Sequence, residues 1–136
     1  TLFNGRHGSA HGHATVGSVT INLNKHDIIG DPGRFTYLYN SPLRTGLKKQ
    51  WMHNTVDVDN KEDFKISGDS SYAEVQDPIG NSYNQKGNYI ALEGVWSGRA
   101  NVKEDHDVLE KNLYTIRRTS FIENKMNIVI VFTAID

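Results

Sequence analysis

The stretch "LYTIRRTSFIENKMNIVIVFTAI", residues 113–135 of this 136-residue chain, decides the fold class. β-Branched and aromatic residues dominate it, and a polar group from Glu123 to Lys125 interrupts it once. Two β-forming runs joined by a short polar turn predict a β-hairpin. The second run, 126–135, is apolar on both faces, which is typical of a strand that lies centrally in its sheet or is covered on both sides.

Short runs of alternating apolar and polar residues recur upstream of this hairpin. In the run 15–23, Val19, Ile21 and Leu23 share one face, as in a half-buried strand. Further strands are predicted at 34–40, 51–58, 64–66, 70–76 and 88–102, with a polar loop at 77–88 and a helical turn at 103–112. About eight to nine short strands predict an all-β fold. We expect either an antiparallel β-sandwich of the jelly-roll kind or a closed small β-barrel.

The length of the chain indicates one domain with a short N-terminal arm. A chain of 136 residues is long enough to bury one sizeable core. The first residues are rich in glycine and histidine and show no core pattern. We therefore predict an arm at 1–14 and a single β domain at 15–136.

Charge and cysteine content exclude several classes of function. A net charge of −1 without a long basic cluster argues against a nucleic-acid partner. No apolar run is long enough for a helix that spans a membrane. Because the chain has no cysteine, disulfides and thiolate metal sites are excluded. The chain begins with Thr1 rather than Met, which favours an extracellular or cell-surface protein, although the composition also suits the cytoplasm.

Three histidines in "RHGSAHGH", residues 6–13, form the first candidate site. His7, His11 and His13 are all odd-numbered, so an extended backbone would point them to one side. Neutral imidazoles are ligands for zinc and other transition metals, so these residues are a candidate metal site. The alternative is a polar arm packed on the surface. Further ligands could come from His26, His53 and His106.

The same segment resembles the first half of the cupin metal motif. Gly5, His11 and His13 have the spacing of that motif. Gly17 and Ser18 stand where cupins have a glutamate, and the second cupin motif is not found in the sequence. The resemblance therefore extends only to this short segment.

An acidic run offers a second candidate site, for calcium. Its oxygen-bearing residues are Asp57, Asp59, Asn60, Glu62 and Asp63. Oxygen ligands at alternate positions can hold Ca²⁺, but Lys61 breaks the spacing of an EF-hand loop. The same residues are typical of a solvated hairpin turn. No cofactor is expected apart from a transition metal at the histidines or calcium here.

Aromatic and polar side chains form a third candidate site, for a ligand such as a sugar. Binding sites combine apolar rings with a few polar groups that fix the orientation of the ligand. The candidate ligand-binding residues are Trp51, Tyr72, Tyr83, Tyr89, Glu93, Trp96 and Arg117. Large aromatic residues also pack in cores, which is the alternative for both tryptophans. Arg117 or Arg118 is expected to point inward and to need a carboxylate partner such as Glu93.

The sequence contains no nucleophile elbow, phosphate-binding loop or HExxH helix. Catalytic residues therefore stay unassigned, and a binding role is favoured over an enzymatic one. We expect a lectin-like binding or adhesion module whose partner is a glycan or another small molecule, with no nucleic acid and no membrane span.

Three other classes of function stay open. The chain could be a structural subunit of a filament, pilus, capsid or tail assembly, joined to copies of itself through its terminal arm or strand. It could be a small β-barrel that binds or transforms a small apolar ligand. It could also be a histidine metalloenzyme. Fold class alone does not choose among these functions.

Overall fold

A computed structural model describes residues 1–7, 12–104, 107–122 and 125–134. Its strands are β1 (Leu2–Phe3), β2 (Ser18–Val19), β3 (Ile21–Leu23), β4 (His26–Ile29), β5 (Lys65–Ile66), β6 (Tyr72–Glu74), β7 (Pro78–Lys86), β8 (Tyr89–Glu104), β9 (Asp107–Ile122) and β10 (Lys125–Ala134). Helix in these residues is limited to α1 (Pro42–Leu47) and a 3₁₀ turn (Gln50–Met52). Neither helix, in the part of the chain described, has the length and apolar character needed to cross a membrane.

The main sheet contains four strands in the order β10-β9-β8-β7, and every neighbouring pair is antiparallel. β8 and β9 pair from Ile90↔Phe121 to Glu104↔Asp107. β7 joins β8 through a tight turn in which Gly87 has a φ of +57°, a conformation that glycine adopts without strain. Strands that are consecutive in the chain are therefore neighbours in the sheet.

Three two-stranded ribbons, β1-β2, β3-β4 and β5-β6, account for the other described strands. Asn24 and Lys25 connect β3 to β4, and both have positive φ, as two-residue hairpin turns of type I′ require. β1 pairs with a strand that lies farther along the chain, with Leu2 opposite Val19. This pairing fixes the N-terminal residues to the domain.

The core is small and is centred on Trp96, which is 1% exposed. Its other buried members are Ala14, Val16 and Phe64, with Val56 and Tyr72 packed against them. Gly17 must remain glycine because its φ is +73° and a Cβ there would lie 2.3 Å from the Trp96 ring. The core thus connects the loop before β2 with strand β8.

The predicted all-β class is confirmed: the described residues form four small antiparallel sheets with little helix. The hairpin predicted at 113–135 is also confirmed, since β9 and β10 pair from Leu113↔Ala134 to Ile122↔Lys125. Closure of the sheets into a sandwich or a barrel stays a prediction.

The strand predicted at 34–40 is wrong, because these residues form no strand. The guanidinium of Arg44 donates to the carbonyls of Tyr37 and Leu38 at 2.9 and 3.2 Å. A side chain from α1 therefore supplies donors that a neighbouring strand would otherwise provide. Ser41 precedes this helix, and its Oγ accepts from the Arg44 N–H at its N-terminus.

The polar loop predicted at 77–88 is also wrong, because β7 occupies most of it. The side chains of β7 are mostly exposed, as expected of the last strand in the sheet order, so polar residues suit it. The helical turn predicted at 103–112 is wrong where the structure describes it, since 107–112 belongs to β9.

The described residues of the predicted arm pack on their own domain. Asn4 is 5% exposed, and its Nδ2 donates to the carbonyls of Gly80 and Val95 at 3.0 and 3.1 Å. Together with the β1–β2 pairing, these bonds hold residues 1–4 on the domain. Two of the predicted metal ligands, His11 and His106, lie outside the described residues.

Candidate functional site

The candidate site is built around Asp31, the first residue of an Asp-Pro-Gly turn that follows β4. The N–H of Gly33 donates to Asp31 Oδ1 at 2.8 Å, and Gly33 permits this turn with a φ of +62°. The other carboxylate oxygen, Oδ2, lies 2.7 Å from Nδ1 of His53. Because the Asp31 side chain is 30% exposed, its carboxylate can contact both the buried histidine and a ligand from solvent.

His53 presents a buried ring nitrogen with an unused bonding site. Its side chain is 0% exposed and follows the 3₁₀ turn, where its N–H donates to the Gln50 carbonyl at 3.0 Å. Nδ1 is bonded to Asp31, whereas Nε2 is buried and has no hydrogen-bond partner among the described residues. Buried polar atoms without a partner are uncommon in folded proteins, and a bound ion is one explanation for them.

The ring of His13 lies next to this pair. Its centroid is 5.2 Å from that of His53, with an angle of 50° between the rings. The backbone is fixed on both sides of His13. The hydroxyl of Tyr72 donates to the Gly12 carbonyl at 3.2 Å, and the Ala14 N–H donates to the Lys48 carbonyl at 3.1 Å.

The loop that carries His53 is held from two directions. Asn54 donates through Nδ2 to the Gly30 carbonyl, which fixes the loop to the Asp-Pro-Gly turn. Arg117 reaches the loop from β9, is 7% exposed, and donates to the carbonyls of Asn54 and, at 3.1 Å, Gly17. Contacts between distant parts of the chain therefore set the position of His53.

The electrostatic surroundings lower the pKa of His13 below its ordinary value. Burial is the largest cause, and the neighbouring His53, Arg34 and Lys48 act in the same direction, whereas Asp31 opposes them. Burial alone would raise the pKa of the Asp31 carboxyl, but the bonds from Gly33 and His53 outweigh it and lower this pKa. At neutral pH the site therefore combines an ionised carboxylate with an uncharged His13 ring.

A cleft of about 450 Å³ opens over this cluster, and we call it the central cleft. Its lining includes His13, Asp31 and Phe3. Phe3 is 47% exposed. The hydroxyl-bearing residues of the cleft are Thr1, Thr15, Ser18 and Thr20. Hydroxyls, a carboxylate and an exposed aromatic ring can bond and pack against a sugar.

Two more clefts adjoin the central cleft. The β3–β4 cleft, of about 430 Å³, shares Thr1, Thr20 and Asp31 with it and extends to Asn22 and Asp27. The β7–β8 cleft, of about 460 Å³, shares Phe3 with it and extends along Asn81, Tyr83 and Leu92. The shared residues show that the three clefts follow one another across the surface.

Two imidazoles of the site, those of His13 and His53, could contribute to a metal centre. The Asp31 carboxylate that bonds Nδ1 of His53 would then orient this ligand, as carboxylates do for many metal-bound histidines. Across the described ranges, however, no three His, Cys, Asp or Glu side chains are grouped as a metal site. A complete centre would need a ligand from outside these residues, where His11 lies.

The structure packs the ring of His7 against two rings of the core region. Its ring packs against Phe64 and Tyr72, with centroid distances of 5.4 and 4.5 Å. In the acidic run, Asp63 accepts from the Arg99 N–H of β8 at 2.8 Å, whereas Asp59 and Asn60 form a turn at positive φ. The Asp63 carboxylate is thus bonded to the sheet, and calcium binding by the acidic run stays a prediction.

The seven predicted ligand-binding residues do not share one cleft in the structure. Trp96 is in the core, Tyr72 and Tyr89 are half-buried, and Trp51 is 59% exposed. Tyr83 and Glu93 both line the β7–β8 cleft.

Backbone carbonyls, rather than the expected carboxylate, bond the inward arginine. Arg117 points inward, as predicted, and bonds two carbonyls. Glu93 stands opposite Arg118, not Arg117, in the register of β8 and β9. Alternation along a strand puts neighbours on opposite faces, which explains why Glu93 and Arg117 separate.

Sequence reasoning missed two central residues of the site, Asp31 and Phe3. Asp31 was predicted only as part of a turn, although a carboxylate before Pro-Gly is also a possible ligand. Phe3 belongs to the predicted arm, where no apolar–polar alternation indicates which way a side chain faces. His53 was named only as a further metal ligand.

Comparison with known families identifies the chain. The family model described as "Heparinase II/III-like, C-terminal" matches residues 1–131, which include the candidate site and nearly all of the main sheet. No curated protein and no solved structure matches the chain. This chain therefore belongs to the heparinase II/III-like C-terminal family.

Proposed function

We propose that this domain binds a polysaccharide chain at the central cleft and thus acts as a binding module. The observation that carries this proposal is the lining of the cleft, where four hydroxyl residues, the Asp31 carboxylate and the Phe3 ring come together. Family membership supports a carbohydrate ligand. We further propose that the binding takes place outside the cell, where polysaccharides are encountered.

The class of polysaccharide to test first follows from the family name. Heparinases, by that name, act on heparin, so an acidic polysaccharide is the first probe. In affinity electrophoresis, the purified domain should migrate more slowly in gels that contain heparin than in gels without it. Dextran, a neutral polysaccharide, serves as the comparison, and salt titration separates specific retention from general charge effects.

A pair of threonine variants localises the binding. Thr20 lines both the central and the β3–β4 cleft, so Thr20→Val removes a hydroxyl while it preserves shape. We expect heparin affinity to fall about three-fold to ten-fold, the effect of one lost hydrogen bond. Thr45, in α1 and equally half-buried, lines neither cleft, and Thr45→Val should bind as the wild type does.

Retention by none of heparin, alginate and hyaluronan would refute a polysaccharide-binding role. Equal loss of affinity in Thr20→Val and Thr45→Val would place the binding elsewhere than in the central cleft. Circular dichroism of both variants establishes that they are folded before binding is compared.

A second candidate function, a transition-metal site, is favoured by the unbonded Nε2 of His53. We propose that His13 and His53 bind one zinc ion together with a ligand from elsewhere in the chain. Inductively coupled plasma mass spectrometry of untagged protein should then find about one zinc per chain. Added zinc should raise the melting temperature because a metal bound to the folded state stabilises it.

A histidine pair supplies the control for this candidate. His53→Ala should lose the metal, whereas His26→Ala should retain it because His26 is exposed on β4, outside the His13–His53 pair. Protein that contains no transition metal and shows no change in melting temperature with added zinc would exclude the site.

A further inference from the structure

We propose that residues 34–39, which we call the aromatic segment, form a stacking platform for the sugar rings of an acidic polysaccharide where its chain leaves the central cleft. This inference rests on the proposed polysaccharide-binding function. It adds a second contact region outside the three clefts, so that long chains gain affinity from rings that short chains do not reach.

The large side chains of the aromatic segment face solvent. Phe35, Tyr37, Leu38 and Tyr39 are 70%, 72%, 73% and 74% exposed. Single exposed apolar side chains are ordinary, but four within five consecutive residues form a local apolar surface of the kind that marks a binding site. Three of the four are flat rings, which suit the C–H face of a pyranose.

The backbone of the aromatic segment is fixed by neighbouring elements. The guanidinium of Arg44 in α1 donates to the carbonyls of Tyr37 and Leu38 at 2.9 and 3.2 Å. Just after the segment, the Asn40 N–H donates to the Asp69 carboxylate. The rings are therefore presented from a backbone that is already ordered, which lowers the entropic cost of binding a ligand.

Two of the three rings lie beside a cation. The guanidinium of Arg34 is 4.1 Å from the centre of the Tyr37 ring, and that of Arg44 is 5.2 Å from the centre of the Tyr39 ring. Such contacts restrict the orientation of the rings. Tyr37 is 72% exposed even so, which means that the face of its ring away from Arg34 meets solvent.

The charges around the segment favour an anionic chain. Arg34, Arg44 and Lys48 lie close together: burial is the largest cause that lowers the pKa of Lys48, and both arginines add to it. Asp69 is the carboxylate that opposes them among the described residues, so cations outnumber acids in this cluster. A chain that carries carboxylates or sulfates is attracted by this excess, while its rings keep their C–H faces for stacking.

The aromatic segment continues directly from the central cleft. Asp31 lines that cleft, and the Asp-Pro-Gly turn leads from it to Arg34. After burial and His53, the charge of Arg34 is among the causes that lower the pKa of His13, which lines the same cleft. An extended backbone spans about 3.3–3.6 Å per residue, so Tyr39 can lie up to roughly 25 Å from Asp31. Only a long oligosaccharide would therefore contact the whole segment.

The test measures binding of a heparin tetrasaccharide and a heparin dodecasaccharide by isothermal titration calorimetry. We expect the wild type to bind the dodecasaccharide several-fold more tightly. The double variant Phe35→Ala/Tyr39→Ala should weaken dodecasaccharide binding about ten-fold, in line with the loss of two aromatic contacts, and should leave tetrasaccharide binding nearly unchanged. A longer chain also has more registers in which to bind the cleft, but that gain is the same for every variant, so the difference between variants is informative.

Matched variants separate stacking from apolar contact and from folding. Phe35→Tyr keeps a flat ring and should bind the dodecasaccharide as the wild type does, whereas Phe35→Leu keeps an apolar side chain without a ring and should bind it about three-fold more weakly. Ile79→Ala removes an apolar side chain of β7 that is 55% exposed and lines none of the three clefts, so it should have no effect. Melting temperatures should agree because all these side chains are exposed.

The outcomes distinguish this inference from the proposed function. If Thr20→Val weakens binding of both probes and the double variant weakens neither, the platform is refuted while binding in the central cleft stands. If the double variant weakens both probes equally, the segment does not extend the cleft, and the inference is wrong. If the wild type binds neither probe and is not retained by heparin, the proposed function itself fails.

A second copy of the chain or another protein is the alternative occupant of the aromatic segment. In sedimentation velocity, the wild type should be a monomer at the concentrations used for calorimetry. A dimer that becomes a monomer in the double variant would show that a second copy covers the segment and would overturn the inference. Equal dodecasaccharide binding by Phe35→Leu and Phe35→Tyr would overturn it as well, because stacking on a sugar requires the ring.

Discussion

At the scale of single residues, buried cations in this domain mainly satisfy backbone carbonyls. Arg44 and Lys48 are each 2% exposed. Arg44 bonds the carbonyls of Tyr37 and Leu38, and Lys48 bonds two carbonyls in the loop before β6. Buried charges are costly unless they are hydrogen-bonded, so these bonds offset much of that cost. These bonds also fix loops whose backbone carbonyls are not paired with a neighbouring strand.

Asp63 is a buried carboxylate whose protonation is linked to the stability of the domain. It is 6% exposed, accepts from the Arg99 N–H at 2.8 Å and accepts from Gln50 Nε2 at 3.3 Å. Burial raises the pKa of Asp63 to about 6, although these two donors act to lower it. The carboxyl therefore titrates in a pH range where most carboxyls are already ionised.

We expect Asp63 to make the domain less stable as the pH rises from about 4 to about 6. The folded state holds the Asp63 proton more tightly than the unfolded chain, whose carboxyl titrates near 3.8, so protonation favours folding below this window. The full contribution is on the order of 3 kcal/mol, lost as the pH rises through the window. Urea unfolding across this pH range measures the free energy of unfolding.

Asp63→Asn is the control, because an amide does not titrate. The lowered pKa of His13 produces the opposite slope, so the informative quantity is the difference between wild type and variant at each pH. This difference should change across the window and level off above it. Parallel curves for the two proteins throughout the range would show that Asp63 does not carry the effect.

At the scale of elements, apolar–polar alternation predicted strands in the main sheet and in the ribbons, but it also predicted a strand where none forms. The strand at 88–102 and the hairpin at 113–135 match β8, β9 and β10. The run 34–40 has the same aromatic alternation, yet its aromatic side chains are exposed and Arg44 bonds its carbonyls. Alternation reports which side chains could share a face, but the pairing partner decides whether a strand forms.

Arg117 shows how one strand supports loops that are far away in the chain. We expect Arg117→Met to lower the free energy of unfolding by about 2–4 kcal/mol, because it leaves the Asn54 and Gly17 carbonyls without their buried donor. Chemical denaturation measures this loss. Arg117→Lys keeps a donor and should recover part of it.

Arg6→Met provides the matched control, since Arg6 is exposed and close to the N-terminus. Its effect should stay within about 0.5 kcal/mol, the usual range for surface substitutions. Equal stability of Arg117→Met and Arg6→Met would show that the bonds from Arg117 contribute little.

At the scale of the whole molecule, the sequence predicted the fold class far better than the site. Composition and alternation are local properties, and they were sufficient for an all-β chain. The site depends on contacts between loops, such as Asp31 with His53 and Tyr72 with Gly12, which are 22 and 60 residues apart. No periodicity in the sequence indicates such contacts between loops. The sequence therefore points to two histidines of the site but not to the carboxylate of Asp31.

The bond from Arg117 to the Gly17 carbonyl spans 100 residues, and this separation has a consequence for synthesis. At typical rates of translation, of about 5–20 residues per second, Gly17 is synthesised roughly 5–20 seconds before Arg117. The bonds from Arg117 to the Gly17 and Asn54 carbonyls can form only after β9 has been synthesised. We therefore expect these loops to reach their final positions only after β9 has formed, in keeping with the slow closure of long-range β contacts.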